Sequence, residues 1–128
     1  LKILLDTCTF LWIITANPQL SAKARELFVD PLNKVLLSCV STWEISMKYA
    51  LGRLPLPEPP DRLIPAQREL HAIESLSLDE EATFYLTKLP EYHKDPFDRM
   101  IVCQAIIDGL AILTPDKLIQ QYPARTIW

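Results

Sequence analysis

Apolar residues fall into short runs and into longer groups with helical spacing, and the two patterns alternate along the chain. Leu1 to Leu5 is a run stopped by Asp6, and Val35 to Leu37 is a second. Both read as strands buried on both faces, because a parallel strand covered by helices needs no polar alternation. Ala72 to Leu76 and Leu110 to Leu113 fit a third and fourth strand, and Thr126 to Trp128 a last one. Between them lie helical stretches. Thr9 to Ala16 is closed by Asn17-Pro18, and Ala22 to Val29 has Ser21 as its cap and Asp30-Pro31 as its stop. Ser41 to Leu51 ends at Gly52, and Arg62 to Leu70 and Asp79 to Leu89 follow. A long helix runs from Asp95-Pro96 to Ile107 before Gly109, and a short one covers Asp116 to Gln121. The proline-rich stretch Leu54 to Pro60 is a stiff loop. Strands alternating with helices predict an α/β domain, a central mainly parallel sheet of four to five strands between two helical layers.

Composition narrows the class. With 128 residues, 49% of them hydrophobic, the chain matches one ordinary domain with a real core. The net charge of −3 does not mark a general nucleic-acid binder, so any such substrate must be met by local cations or a bound metal. Cys8, Cys39 and Cys103 are widely separated and form no CxxC pair. They read as reduced thiols in a cytoplasmic protein rather than a disulfide framework or zinc site. No apolar run reaches the ~18 residues of a membrane span, and Asp6 comes too early for a signal peptide. The chain starts on leucine, so at least an initiator methionine is expected to be missing.

In open α/β sheets, ligands bind beyond the carboxyl ends of the strands. Asp6 follows the first strand directly, and Asp116 follows the fourth in Leu113-Thr114-Pro115-Asp116. Glu44 lies in the helix after the second strand, and Asp98 in the first turn of the helix opened by Asp95. Each has a simpler reading. Ser41-Thr42-Trp43-Glu44 fits a capping box, Asp95 an N-cap with Pro96 at N1, Asp98 an acid favoured by the helix dipole, and Asp116 a cap for the last helix. As a set they say more. Gathering like charges raises their pKa values, and a hard divalent cation such as Mg²⁺ relieves that repulsion. Such an ion can activate water against a phosphate. Lys48, Arg53, Lys94 and Arg99 supply positive charge beside these acids and are candidate phosphate contacts, although Glu44 and Lys48 also fit an i,i+4 helix pair.

The same segments resemble the PIN-domain family and, within it, the VapC-type ribonuclease toxins of toxin–antitoxin pairs. Leu4-Leu5-Asp6-Thr7 with Leu11-Trp12 resembles the opening motif. Ser41-Thr42-Trp43-Glu44-Ile45 with Lys48 and Gly52-Arg53-Leu54 resembles the second, and His93-Lys94-Asp95-Pro96-Phe97-Asp98-Arg99 with Gln104-Ala105 the third. Leu113-Thr114-Pro115-Asp116 and the closing Tyr122-Pro123 to Trp128 resemble the last. The resemblance implies an α/β/α sandwich with Mg²⁺- or Mn²⁺-dependent endoribonuclease activity. It carries the catalytic roles to Asp6, Glu44, Asp98 and Asp116, and the metal to Asp6, Asp98 and Asp116. Thr7, Asp95 and Thr114 become supporting residues. It also implies an RNA substrate, a homodimer and a small, DNA-binding antitoxin. Cys8 departs from the pattern, standing where relatives often carry histidine.

Two other functions share these features. A receiver-like phosphoacceptor domain needs an acceptor aspartate after a central strand near mid-chain, where the proline-rich Leu54–Pro60 lies. A PIN-like module that binds RNA or protein without cutting would bind no Mg²⁺ or Mn²⁺.

Overall fold

The computed structural model describes the whole chain, Leu1 to Trp128. Five parallel strands form one sheet: β1 (Lys2–Leu5), β2 (Lys34–Ser38), β3 (Ile73–Leu76), β4 (Ala111–Leu113) and β5 (Thr126–Ile127). Their order is β3-β2-β1-β4-β5. This departs from the 2-1-3-4-5 order of receiver-like domains. The chain moves outward from β1 through β2 to β3, then returns to the other side of β1 to lay down β4. The direction of winding therefore reverses between β1 and β4, and a crevice opens beyond their carboxyl ends.

Six helices cover the sheet: α1 (Thr7–Ile14), α2 (Ala22–Val29), α3 (Cys39–Ala50), α4 (Pro60–Leu70), α5 (Glu80–Tyr85) and α6 (Pro96–Asp108). Alternate strand residues feed two separate cores. Ile3, Leu5, Val35, Leu37 and Leu113 pack with Phe10 and Ile13 of α1, Ala24 of α2 and Ile64 of α4. Leu4, Leu36 and Ile112 face the other way, onto Ala82 of α5 and Ile101, Val102 and Ala105 of α6. Burial on both faces is why β1, β2 and β4 carry apolar runs, whereas the edge strand β3 exposes Glu74 and Ser75. The α/β/α sandwich expected from the sequence is the fold.

Several boundaries differ from expectation, and the differences matter at the site. Helix α1 starts at Thr7 and not Thr9, because Asp6 is itself the N-cap, accepting from the Thr9 N–H at 2.7 Å. Helix α3 starts at Cys39, directly after β2, with Ser38 as its cap. Ser41 is thus inside the helix, and the capping box expected from Ser41 and Glu44 does not form. The region from Asp79 to Leu89 is a six-residue helix followed by a 3-10 turn at Leu86–Lys88. The last expected helix is only a 3-10 turn at Ile119–Gln121. Pro60, assigned above to the stiff loop, is the first residue of α4.

Candidate active site

Asp6 and Asp116 arrive from neighbouring strands, on either side of the switch point. Asp6 ends β1 and is 2% exposed. Its Oδ1 accepts from the Thr9 N–H, and its Oδ2 accepts from the Thr114 hydroxyl. Thr114 in turn accepts from the Asp116 N–H at 3.0 Å, so one threonine ties the β1 acid to the β4 acid. Thr9 closes the same junction by donating to the Leu113 carbonyl at 2.9 Å. The expected capping role of Asp116 is partly realised: Oδ1 accepts from the Leu118 N–H at 2.8 Å and the Ile119 N–H at 3.4 Å.

Glu44 comes from α3 and is 5% exposed. Freed from capping, its carboxylate turns toward α1. Oε1 accepts from the Thr7 hydroxyl at 2.7 Å, and Oε2 from the Lys48 ammonium one turn along. The i,i+4 pair is therefore real, and the Glu44 hydrogen bond raises the Lys48 pKa. Thr7 Oγ1 also lies 2.9 Å from Ser41 Oγ. A hydroxyl carries one hydrogen, so with Thr7 donating to Glu44, Ser41 donates to Thr7.

Asp98 comes from the first turn of α6. Asp95 caps that helix, accepting from the Phe97 N–H at 2.8 Å and the Asp98 N–H at 3.2 Å. His93 completes this corner. Its Nδ1 accepts from the Asp95 N–H at 3.0 Å, which leaves the ring proton on Nε2. That nitrogen lies 2.9 Å from Asp116 Oδ2 and 3.1 Å from Asp98 Oδ2, so it donates between two carboxylates. The Tyr122 hydroxyl accepts from the His93 N–H at 2.9 Å and fixes the loop.

The electrostatics show convergence. Burial pushes Asp98 up to about 7, with the Asp95, Glu44 and Asp6 charges adding to the rise and His93 opposing it. Burial also raises Asp6, against the hydrogen bonds from Thr114 and Thr9. Burial acts upward on Asp116 too, but the His93 hydrogen bond and the Leu118 N–H outweigh it and leave this acid below the ordinary carboxylate value. Cys8, between Thr7 and Thr9, is pushed to about 11 by burial and by the charges of Asp6, Asp98, Asp116 and Glu44 together. One thiol thus senses all four acids, and it stays protonated at neutral pH.

A cleft of about 530 Å³ opens onto Asp6, Glu44, Asp95, Asp98 and Asp116. Lys48 and Arg53 line it as well, whereas Lys94 and Arg99 do not. Arg99 instead donates to the Pro90 and His93 carbonyls, both at 3.4 Å, and braces the His93 loop. Every acid singled out in the sequence therefore reaches one cleft, with two of the four cations beside it. His93 was not singled out from the sequence: Asp98 lies only five residues on, but the Asp116 carboxylate meets the ring only through the tertiary fold.

His93, Asp98 and Asp116 place potential ligand atoms within 4.8 Å of one another. The His93 tautomer argues against a nitrogen ligand there, since Nε2 carries its proton. The remaining donors are hard carboxylate oxygens, each with lone pairs to spare. That set fits Mg²⁺ or Mn²⁺ rather than a metal preferring nitrogen or sulfur.

Parallel strands, a switch point and carboxylates collected there define the class: an α/β domain with an acid-lined cleft at its sheet edge. The sequence profile of the PIN domain matches residues 3–124, and the chain belongs to that family. It is 38% identical over 71 residues to ribonuclease VapC16 of Mycobacterium tuberculosis, an alignment covering 52% of this chain and 50% of that protein. The chain thus matches about half the length of this relative. Among solved structures, it resembles VapBC2 of Rickettsia felis bound to a promoter DNA fragment, with a TM-score of 0.72 at 16% identity over 99% of this chain and 98% of that one. It also resembles DNA-bound VapBC of Salmonella typhimurium, with a TM-score of 0.68 at 20% identity over 99% and 97%. These likenesses establish the fold.

Proposed function

We propose that the chain is a divalent-metal-dependent endoribonuclease, acting as the toxin of a toxin–antitoxin pair in the cytoplasm. The observation that carries the reading is the convergence of Asp6, Glu44, Asp98 and Asp116 on one cleft with Lys48 and Arg53 beside them. The ribonuclease relative and the VapBC complexes sharing the fold support RNA as substrate and a small DNA-binding antitoxin as partner. The homodimer rests on the family resemblance alone.

Asp6, Asp98 and Asp116 would hold the ion, Mg²⁺ or Mn²⁺. When bound, the ion lowers the pKa of water and offsets charge building on the phosphate. Thr114 keeps Asp6 and Asp116 in mutual register, and Asp95 sets the first turn of α6 so that Asp98 faces the cleft. Glu44, held by Thr7 and Lys48, orients the attacking water and accepts its proton. Lys48 and Arg53 receive the non-bridging phosphate oxygens. The water oxygen bonds to phosphorus as the opposite P–O bond breaks, and the leaving ribose oxygen takes a proton from bulk water.

The test is cleavage of total cellular RNA by the purified protein, with and without Mn²⁺, beside Asp98→Asn. We expect discrete, Mn²⁺-dependent fragments from the wild-type chain and none from the variant. A folded Asp98→Asn protein cutting at the wild-type rate would remove Asp98 from the site. No cleavage of any RNA, together with no heat of Mg²⁺ or Mn²⁺ binding, would overturn the nuclease reading.

A further inference from the structure

The carboxylates and cations occupy only part of the cleft. Leu11, Trp12, Ile45 and Leu54 also line it. Leu11 and Trp12 lie four residues beyond Thr7 and Cys8, so they continue the same face of α1 one turn, about 5.4 Å, away from the acids. Trp12 is partly buried, and its ring is tilted at 56° against Trp128 with centroids 5.9 Å apart. Leu54 enters from the turn that also delivers Arg53. The indole is thus a fixed ring on a helix, continuous with the acidic and cationic parts of the cleft.

Resting on the ribonuclease reading, we propose that Trp12, flanked by Leu11 and Leu54, is a nucleobase seat for the nucleotide adjoining the phosphate to be cut. The three parts of the cleft match the three parts of a nucleotide strand: carboxylates for the reacting phosphorus, Lys48 and Arg53 for phosphate oxygens, and an aromatic wall for a base face. Stacking on an aromatic ring is the principal sequence-tolerant way proteins hold single-stranded bases. A base in a duplex has both faces occupied by its neighbours, so the seat accepts an unpaired nucleotide. A protein segment is the less favoured occupant, because apolar wall, cations and phosphate chemistry all meet in this one cleft.

The test measures binding of a fluorescein-labelled single-stranded RNA that the wild-type protein cleaves, using Asp98→Asn protein with Mg²⁺ so that the RNA survives. Abasic nucleotides are placed one at a time around the cleavage position. We expect one abasic position to weaken binding by about 5- to 150-fold, the usual effect of losing one base–aromatic stack. Adding Trp12→Ala should weaken the intact RNA similarly and abolish the abasic effect, while Trp12→Phe should retain most of the affinity. The abasic series needs no change at Trp12, so a flat series overturns the seat even where Trp12→Ala fails to fold, and Trp12→Leu, which keeps an apolar side chain without a ring, then reads whether the abasic effect belongs to the indole. Equal affinity for intact and all abasic RNAs would overturn the seat. So would a folded Trp12→Ala that keeps wild-type RNA affinity while losing self-association or a protein partner, which would make the wall a protein-docking surface. In either case the nuclease reading stands as long as the wild-type chain cuts RNA with Mn²⁺, so the two failures are distinguishable.

Discussion

A single hydroxyl at Thr114 holds two acids in register. It donates to Asp6 Oδ2 and accepts from the Asp116 N–H. Valine would keep the shape and lose both bonds, leaving a carboxylate that is 2% exposed with one partner fewer. We expect Thr114→Val to cost about 1–3 kcal/mol, the usual penalty for an unsatisfied buried group, read as a lowered urea midpoint at unchanged slope. Thr114→Ser should recover most of it, and a Val variant as stable as wild type would show that the Thr9 N–H alone suffices for Asp6. At this scale the sequence is legible where the grammar is local. Asp95 reads as a cap because its partners are the next few amides, and Asp6 stands out because it ends a buried run. Of the two readings of Glu44, the capping box fails: the Ser-x-x-Glu pattern is a capping box only where a helix begins at Ser41, and here β2 runs straight into α3 with Ser38 as the cap. The role of His93 is only half local: Asp95 and Asp98 are close in sequence, but the Asp116 partner that completes the corner lies 23 residues away.

The end of α3 is another device that positions the site. Gly52 has φ +70°, the Gly52 N–H donates to the Tyr49 carbonyl at 3.0 Å, and the Arg53 N–H donates to the Lys48 carbonyl at 2.8 Å. This is a Schellman motif, which requires the left-handed residue glycine tolerates best. It returns Arg53 and Leu54 to the cleft, near Lys48 on the same helix. A side chain at Gly52 meets nothing within 4 Å, so the effect of Gly52→Ala is conformational rather than steric. We expect it to cost about 1–2 kcal/mol in thermal or urea unfolding, and to weaken RNA binding further if the turn opens. Helix α6 is fixed from its other end. Asp95→Ala should cost about 0.5–2 kcal/mol through the lost cap, while Asp95→Asn keeps most of that stability. Equal melting of Ala and wild type would show that Pro96 alone starts the helix. Helices and strands were readable because burial imposes their periods. Short 3-10 turns and the exact starts of α1 and α3 were not, since caps such as Asp6 and Ser38 also end strands.

Across the whole molecule, strand order is what sequence periodicity leaves open. Every apolar run predicts a buried strand, yet none says that β4 returns beside β1. That return creates the switch point, joins Asp6 to Asp116 and places Asp98 within electrostatic reach of Glu44 in the same cleft. It also stores like charge in one place, which makes stability depend on pH and metal together. Asp98 titrates near 7 in the folded chain against an ordinary value of 3.8, and Asp6 is raised as well. A carboxyl raised by folding favours the folded state fully below its unfolded pKa, and that advantage is lost as pH rises through the folded value. The ion-free protein should therefore lose stability from about pH 4 up to about pH 7, and level off above that. Asp116 is lowered and works in the opposite sense, but only as pH falls below its ordinary carboxylate value. Melting in EDTA across this range should show the decline, and Asp98→Asn should flatten it through neutrality by removing the group that titrates there. Mg²⁺ or Mn²⁺ at about 100 times its Kd should add about 2.7 kcal/mol to the wild-type protein at pH 8. The gain should be smaller at pH 5, where protons compete for the same oxygens. A melting temperature independent of pH in EDTA, or a metal effect equal at both pH values, would mean that the acids are not coupled in the way their common cleft requires.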